Sequence, residues 1–140
     1  MKKVIIISIF IVCLFIVEAI LIYSFSLVES VLRDGGLVFK SDDFRFLTGT
    51  TFMRVVFYFV PQLIVFYFLL EMAMGKGIGW ISSLNVLTFV IISTLILGIW
   101  TNDLGEYIKR PVFYYFIFAT AISPIVLNFL PFFKKLADKI

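Results

Sequence analysis

Glu18 is the residue best placed to do chemistry in this sequence, because it interrupts a long apolar stretch. The run VIIISIFIVCLFIV precedes it and AILIYSFSLV follows it, with no other charge for at least ten residues on either side. An ionisable group in the middle of a membrane-spanning helix is costly in lipid, so it normally faces protein or water. We therefore expect Glu18 to face the interior of a bundle or a subunit interface.

Other polar side chains recur on single faces of the apolar stretches, as in the four-residue steps of Arg54, Tyr58 and Gln62. When depth is counted along each helix at its regular rise, two levels emerge. The mid-membrane level joins Glu18 to Gln62, Ser93, Thr94, Thr120 and Ser123, and a second level near the chain termini holds Asn85, Asn128 and Tyr67. The first level either lines a pore or joins helices in a dry interface, a common use of such groups.

Charged residues at the far edge of the membrane are predicted to pair. Glu29 and Arg33 are four residues apart on one helix, and Arg54 is a candidate partner for Glu29. These depths leave Glu18 without a basic neighbour. Its carboxyl is then either protonated and hydrogen-bonded or ionised in a wet cavity.

The sequence contains few residues that could catalyse a reaction. There is no histidine and one cysteine, Cys13, and no second carboxylate shares the depth of Glu18. The sequence therefore lacks the side chains needed for a histidine-activated nucleophile, a catalytic carboxylate pair or a cysteine-rich metal site. We expect a non-enzymatic protein with no cofactor and no metal.

The elements that position these residues are four apolar stretches. The chain has 140 residues, of which 62% are hydrophobic, and a helical span needs roughly 20 apolar residues. This composition predicts an all-α integral membrane protein, a single domain (residues 1–140) that forms a four-helix bundle with both termini on one side. Its spans lie at about residues 4–30, 52–74, 80–100 and 111–133. The extramembrane loop 33–51 is predicted to hold a short helix starting at Ser41, with Thr50 or Thr51 capping the second span.

Basic residues near the span ends indicate the orientation. The pairs Lys2-Lys3 and Lys134-Lys135 directly flank the first and last spans. We therefore expect both termini in the cytoplasm and the protein in a bacterial inner membrane. The net charge of +3 is too small to indicate direct nucleic-acid binding.

A small bundle without catalytic residues is typical of a membrane subunit. We expect contact with membrane lipid, a homo-oligomer, and a role as sensor, anchor or scaffold for an unidentified protein partner, for example in secretion, immunity or phage defence. Candidate partner-binding residues are Lys76, Lys134 and Lys135. The alternative is an oligomeric ion or proton conduit with a mid-membrane ring of Glu18 carboxyls.

Overall fold

The architecture is all-helical throughout the residues that this computed structural model describes, which are 2–36, 41–101 and 104–131. Four helices are long and apolar enough to cross a membrane, as the sequence predicts. The third of them continues without a break into a π-helix. The elements are α1 (Lys2–Asp34), α2 (Ser41–Lys76), α3 (Ile78–Ser93) with its π-helical continuation (Thr94–Thr101), α4 (Leu104–Ile108) and α5 (Pro111–Asn128).

The four long helices form a closed ring in which α1 and α3 each pack against both α2 and α5. Neighbouring helices run antiparallel. Lys3, at the start of α1, binds Glu71 near the end of α2 at 2.7 Å, whereas Tyr23 binds Thr48 near the start of α2 at 2.8 Å. The contacts between the other neighbours show the same inversion. The first residues of α1 and the last residues of α5 therefore lie at the same end of the bundle.

Large apolar side chains are exposed on the outer surface of the bundle, and several polar side chains are buried within its otherwise apolar core. Leu32 and Phe129 are each 81% exposed, while Gln62 and Asn85 are at most 1% exposed. Helices suit an apolar solvent because they satisfy their own backbone hydrogen bonds. The remaining polar side chains must then find partners within the bundle.

The predicted break between a loop helix and the second span is wrong. α2 is one continuous helix of 36 residues from Ser41 onward. Of the two threonines at the expected boundary, Thr50 Oγ1 instead donates to Phe46 O of the preceding turn at 3.0 Å, and Thr51 Oγ1 is buried without a hydrogen-bond partner among the described residues. The part of the predicted loop at residues 37–40 lies outside the described residues.

The connection between α2 and α3 is reduced to one residue, Gly77. Its φ of 107° and ψ of 172° lie in a region that only glycine adopts readily. Its N–H donates to Met74 O at 3.2 Å and its carbonyl accepts from the Trp80 N–H at 3.1 Å, so both backbone groups help to close the turn.

We predict that Gly77→Ala destabilises the bundle by about 1–3 kcal/mol, because a Cβ strains this backbone conformation. Gly79→Ala is the matched control: Gly79 is helical and nothing lies within 4 Å of an added Cβ. This change should leave stability unchanged or raise it by about 0.5–1 kcal/mol. Unfolding of both variants in detergent micelles measures the difference. Equal midpoints would contradict the assignment of strain to Gly77.

Candidate functional site

Glu18 lies at the centre of a polar network that joins all four long helices. Its side chain is 1% exposed and faces the interior of its own bundle. Oε2 accepts a hydrogen bond from Arg54 Nε of α2 at 2.7 Å. Oε1 accepts from Asn85 Nδ2 of α3 at 2.9 Å and from Ser123 Oγ of α5 at 3.3 Å. One carboxylate therefore contacts each of the other three helices.

The expectation that Glu18 has no basic neighbour is wrong, as is the proposed pairing of Arg54 with Glu29. Measured from the Lys3–Glu71 pair, Glu18 on α1 and Arg54 on α2 lie at almost the same height. The segments 3–18 and 54–71 differ in length by only about 3 Å at the helical rise. The hydropathy boundary at residue 52 placed Arg54 at the membrane edge, whereas α2 already begins at Ser41. Both predicted states of Glu18 assumed that no basic residue shares its depth, whereas Arg54 does.

Arg54 is enclosed by aromatic rings as well as by its carboxylate partner. It is 4% exposed, and its guanidinium carbon lies 4.7 Å from the ring centre of Phe89, 5.0 Å from that of Tyr58 and 5.2 Å from that of Phe15. Desolvated cation–π contacts of this kind stabilise a buried cation. Only Nε bonds the carboxylate: Nη1 and Nη2 are buried and have no hydrogen-bond partner among the described residues.

Asn85 forms hydrogen bonds to all three of the other long helices, which the sequence did not predict. Its Nδ2 donates to Glu18 and to Thr120 O at 2.8 Å, and lies 3.3 Å from a further acceptor, Ser123 Oγ. Its Oδ1 accepts from Gln62 Nε2 at 2.7 Å. The prediction of a separate level for Asn85 near the termini is therefore wrong.

The side-chain geometry of helices accounts for part of this error, because the lean of Glu18 brings its carboxylate toward the end of the bundle where Asn85 was predicted. Long helical side chains lean toward the helix N-terminus. Because α1 and α2 are antiparallel, Glu18 and Gln62 lean toward each other, and Asn85 bridges them. Depths taken from backbone positions omit this lean.

The other residues of the predicted mid-membrane level divide into two groups. Ser93, Thr120 and Ser123 are at most 1% exposed, and Ser93 Oγ forms a 2.7 Å hydrogen bond with the Tyr58 hydroxyl. Thr94 is exposed and donates to Val90 O of its own helix at 2.8 Å. Adjacent helical residues point about 100° apart, and here Ser93 faces the interior whereas Thr94 does not.

The remaining predicted site residues lie away from the network. Tyr67 and Asn128 are exposed, and Lys3 lies 5.3 Å from the centre of the Tyr67 ring. At the opposite end, Glu29 is 4.0 Å from Arg33 and accepts a hydrogen bond from the Tyr115 hydroxyl.

Of the basic candidates for partner binding, Lys76 is exposed, with its Nζ 4.6 Å from the ring centre of Trp80. Lys134 and Lys135 lie outside the described residues.

No protein-family model, curated protein or solved structure matches this chain. Within the described ranges no group of three His, Cys, Asp or Glu side chains could hold a metal ion. The Glu18 and Arg54 charges balance, and both oxygens of the carboxylate accept hydrogen bonds within the chain. The network is suited to holding helices in register.

We predict that Glu18→Leu and Arg54→Leu each destabilise the bundle by about 3–5 kcal/mol, because each leaves one buried charge without its partner. Glu18→Gln should cost nearly as much, since it keeps the shape but not the charge. The double variant Glu18→Leu with Arg54→Leu should be more stable than either Leu single variant. A double-mutant cycle from unfolding in micelles measures this coupling.

The control for this cycle is the Lys3–Glu71 pair, which has the same 2.7 Å separation but side chains that are 37% and 66% exposed. Its alanine variants should change stability by at most about 1 kcal/mol. Additive effects of the Glu18 and Arg54 substitutions would show that the two residues do not interact.

We further predict that Asn85→Ala destabilises the bundle by about 1–3 kcal/mol, because it leaves buried partners on three helices with one bond fewer. Ser82→Ala on the same helix is the matched control, since the buried Ser82 Oγ has no hydrogen-bond partner among the described residues. Removing that hydroxyl should change stability by less than about 0.5 kcal/mol. Thermal unfolding in micelles compares the two, and equal losses would contradict a connecting role for Asn85.

Proposed function

We propose that this protein is a non-enzymatic integral membrane subunit that self-associates and serves as a sensor, anchor or scaffold for a partner protein. The observation that carries this proposal is the inward closure of the polar network. Glu18 and Asn85 are at most 1% exposed, and their hydrogen bonds lie within the chain. Polar groups used in this way stabilise the bundle. Partner recognition then falls to the outer faces and the two ends.

The same closure argues against an ion or proton conduit built on Glu18. A ring of carboxyls around a symmetry axis requires Glu18 at the surface where subunits meet. Its 1% exposure within a single chain and its salt bridge to Arg54 favour an interior position instead.

The ends of the bundle supply the proposed orientation and partner surface. Lys2 and Lys3 begin α1, and Lys76 lies beside the turn that closes the same end. Basic residues next to spans favour the cytoplasmic side. We place this end, with both chain termini, in the cytoplasm of a bacterium whose inner membrane holds the protein. Exposed Lys76 then faces a soluble partner, with Lys134 and Lys135 following the last helix in sequence.

Two single charge-reversal variants test the proposed scaffold role. We expect Lys76→Glu to lower the yield of partner proteins crosslinked in native membranes at least several-fold, because it reverses a charge at the proposed docking end. Lys109→Glu makes the same change at the opposite end of the bundle and should leave the yield unchanged, since Lys109 is also exposed. Quantitative mass spectrometry of crosslinked products measures both. A strictly monomeric protein that crosslinks nothing reproducibly would contradict the proposal.

Flux measurements separate the scaffold from the conduit. Proteoliposomes containing the wild-type protein should show the same ion and proton flux as empty liposomes. Flux above that background, lost in Glu18→Gln when equal amounts of folded protein are reconstituted, would instead establish the conduit.

A further inference from the structure

A cavity of about 650 Å³ lies beside Arg54, between the first half of α2 and residues of α3, its π-helical continuation and α5. Its walls are almost entirely apolar and include the rings of Phe57, Phe89 and Phe116. Ligand sites in proteins typically combine such walls with a few fixed polar groups. Arg54 and Tyr58 supply polar groups here.

Arg54, one of the polar residues lining this cavity, has hydrogen-bond donors without an acceptor among the described residues. Arg54 is 4% exposed, its Nε is engaged by Glu18, and Nη1 and Nη2 have no hydrogen-bond partner among the described residues. A guanidinium has five N–H donors, and leaving buried donors unsatisfied is costly. The three surrounding rings stabilise the charge but offer no oxygen acceptor at the ring faces. Both nitrogens are buried beneath the surrounding rings, so an acceptor oxygen from a molecule in the cavity reaches them when the guanidinium or one of these rings shifts.

The charge balance of the site selects an uncharged acceptor. Glu18 already neutralises Arg54 at 2.7 Å, so a carboxylate or phosphate bound there would add an uncompensated negative charge to an apolar interior. Arg45 also lines the cavity, but it lies nine residues from Arg54, about 13 Å along the helix, too far to share one oxygen.

The depth of the Arg54 end of the cavity favours a molecule dissolved in the membrane core. Glu18, which binds Arg54, is about 24 Å from Lys2 and about 22 Å from Arg33 along α1. It therefore lies midway between the charged ends of the helix, far from lipid headgroups.

We propose that this cavity binds an apolar membrane-soluble molecule through an uncharged carbonyl oxygen that accepts from Arg54 Nη1 or Nη2. Two sources carry this chemistry: a quinone-type ring and the ester carbonyl of a neutral glyceride. The proposal requires no protein partner, so its failure would leave the scaffold role standing.

Binding is tested with two probes that share one shape. 2,3-Dimethyl-1,4-naphthoquinone carries the carbonyls and has no free ring position for thiol addition at Cys13, whereas 2,3-dimethylnaphthalene lacks the carbonyls. The ligand-dependent shift of the unfolding midpoint in micelles, at equal probe-to-detergent ratios, gives the relative affinity. We expect the quinone to bind about tenfold more tightly or better, as one hydrogen bond to a charged donor predicts. Equal binding of the two probes would overturn the proposal.

Two further probes define the acceptor. Dioctanoylglycerol tests the ester source: tighter binding than the quinone would assign the site to a glyceride, and weaker binding would assign it to a quinone-type ring. 2-Naphthoate presents a negative charge on the same ring system. If it bound most tightly of all, the uncharged-acceptor assignment would be overturned.

A cavity-filling variant tests the location without disturbing the salt bridge. Gly49 lines the cavity, is helical, and has no atom within 4 Å of an added Cβ, so Gly49→Phe should fold and should weaken quinone binding at least tenfold. Gly75→Phe is the matched control, at an equally open glycine near the other end of α2 and outside the cavity lining. If both variants bound the quinone as the wild type does, the proposed location would be wrong.

Discussion

The constraint on which this bundle depends is the burial of two opposite charges in an apolar interior. Moving a carboxylate and a guanidinium out of water costs several kcal/mol each, and only close pairing with additional hydrogen bonds offsets that cost. Glu18 and Arg54 meet at 2.7 Å, and Asn85 and Ser123 donate to the other carboxylate oxygen. Since these four residues belong to four different helices, the charges can be satisfied only when all four helices are assembled.

This dependence gives the fold a register that apolar packing alone would specify weakly. Large hydrophobic side chains cover the outer surface, and a helix with apolar residues on every side can rotate or slide at little cost. A shift of one turn, about 5.4 Å, would separate Glu18 from Arg54 and Gln62 from Asn85. The Tyr58–Ser93 and Glu29–Tyr115 contacts fix α2 against α3 and α1 against α5 further toward the other end. We infer that the network selects one helix arrangement among several that would bury similar apolar area.

The sequence is sufficient to predict the four spanning helices, but neither the start of α2 nor the relative heights of the helices. Length and hydropathy predict four spans because both are local properties, and the burial of Glu18 follows from the cost of its charge in lipid. The pairing with Arg54 depends on how far α2 extends before residue 52 and on the Lys3–Glu71 register, which no hydropathy boundary contains. One signal was available: Arg54, Tyr58 and Gln62 follow one another at four-residue spacing, so a face that buries Gln62 also buries Arg54. The aromatic rings around Arg54 come from three helices and carry no comparable pattern.

The two ends of the network differ in how fully their polar atoms are hydrogen-bonded. Both oxygens of Glu18 and both polar atoms of Asn85 are hydrogen-bonded within the bundle. Nη1 and Nη2 of Arg54 are instead buried without a hydrogen-bond partner among the described residues, and Arg54 is one of the residues that line the cavity. Whatever changes the position of the Arg54 guanidinium also changes its bond to Glu18, and Glu18 is bonded to α3 and α5. A molecule bound in the cavity would shift helix packing only as far as its affinity differs between two arrangements. Such a difference in affinity would arise at Arg54. Of the two charged groups in the network, Arg54 is the one that lines the cavity, and its bond to Glu18 holds the four helices together.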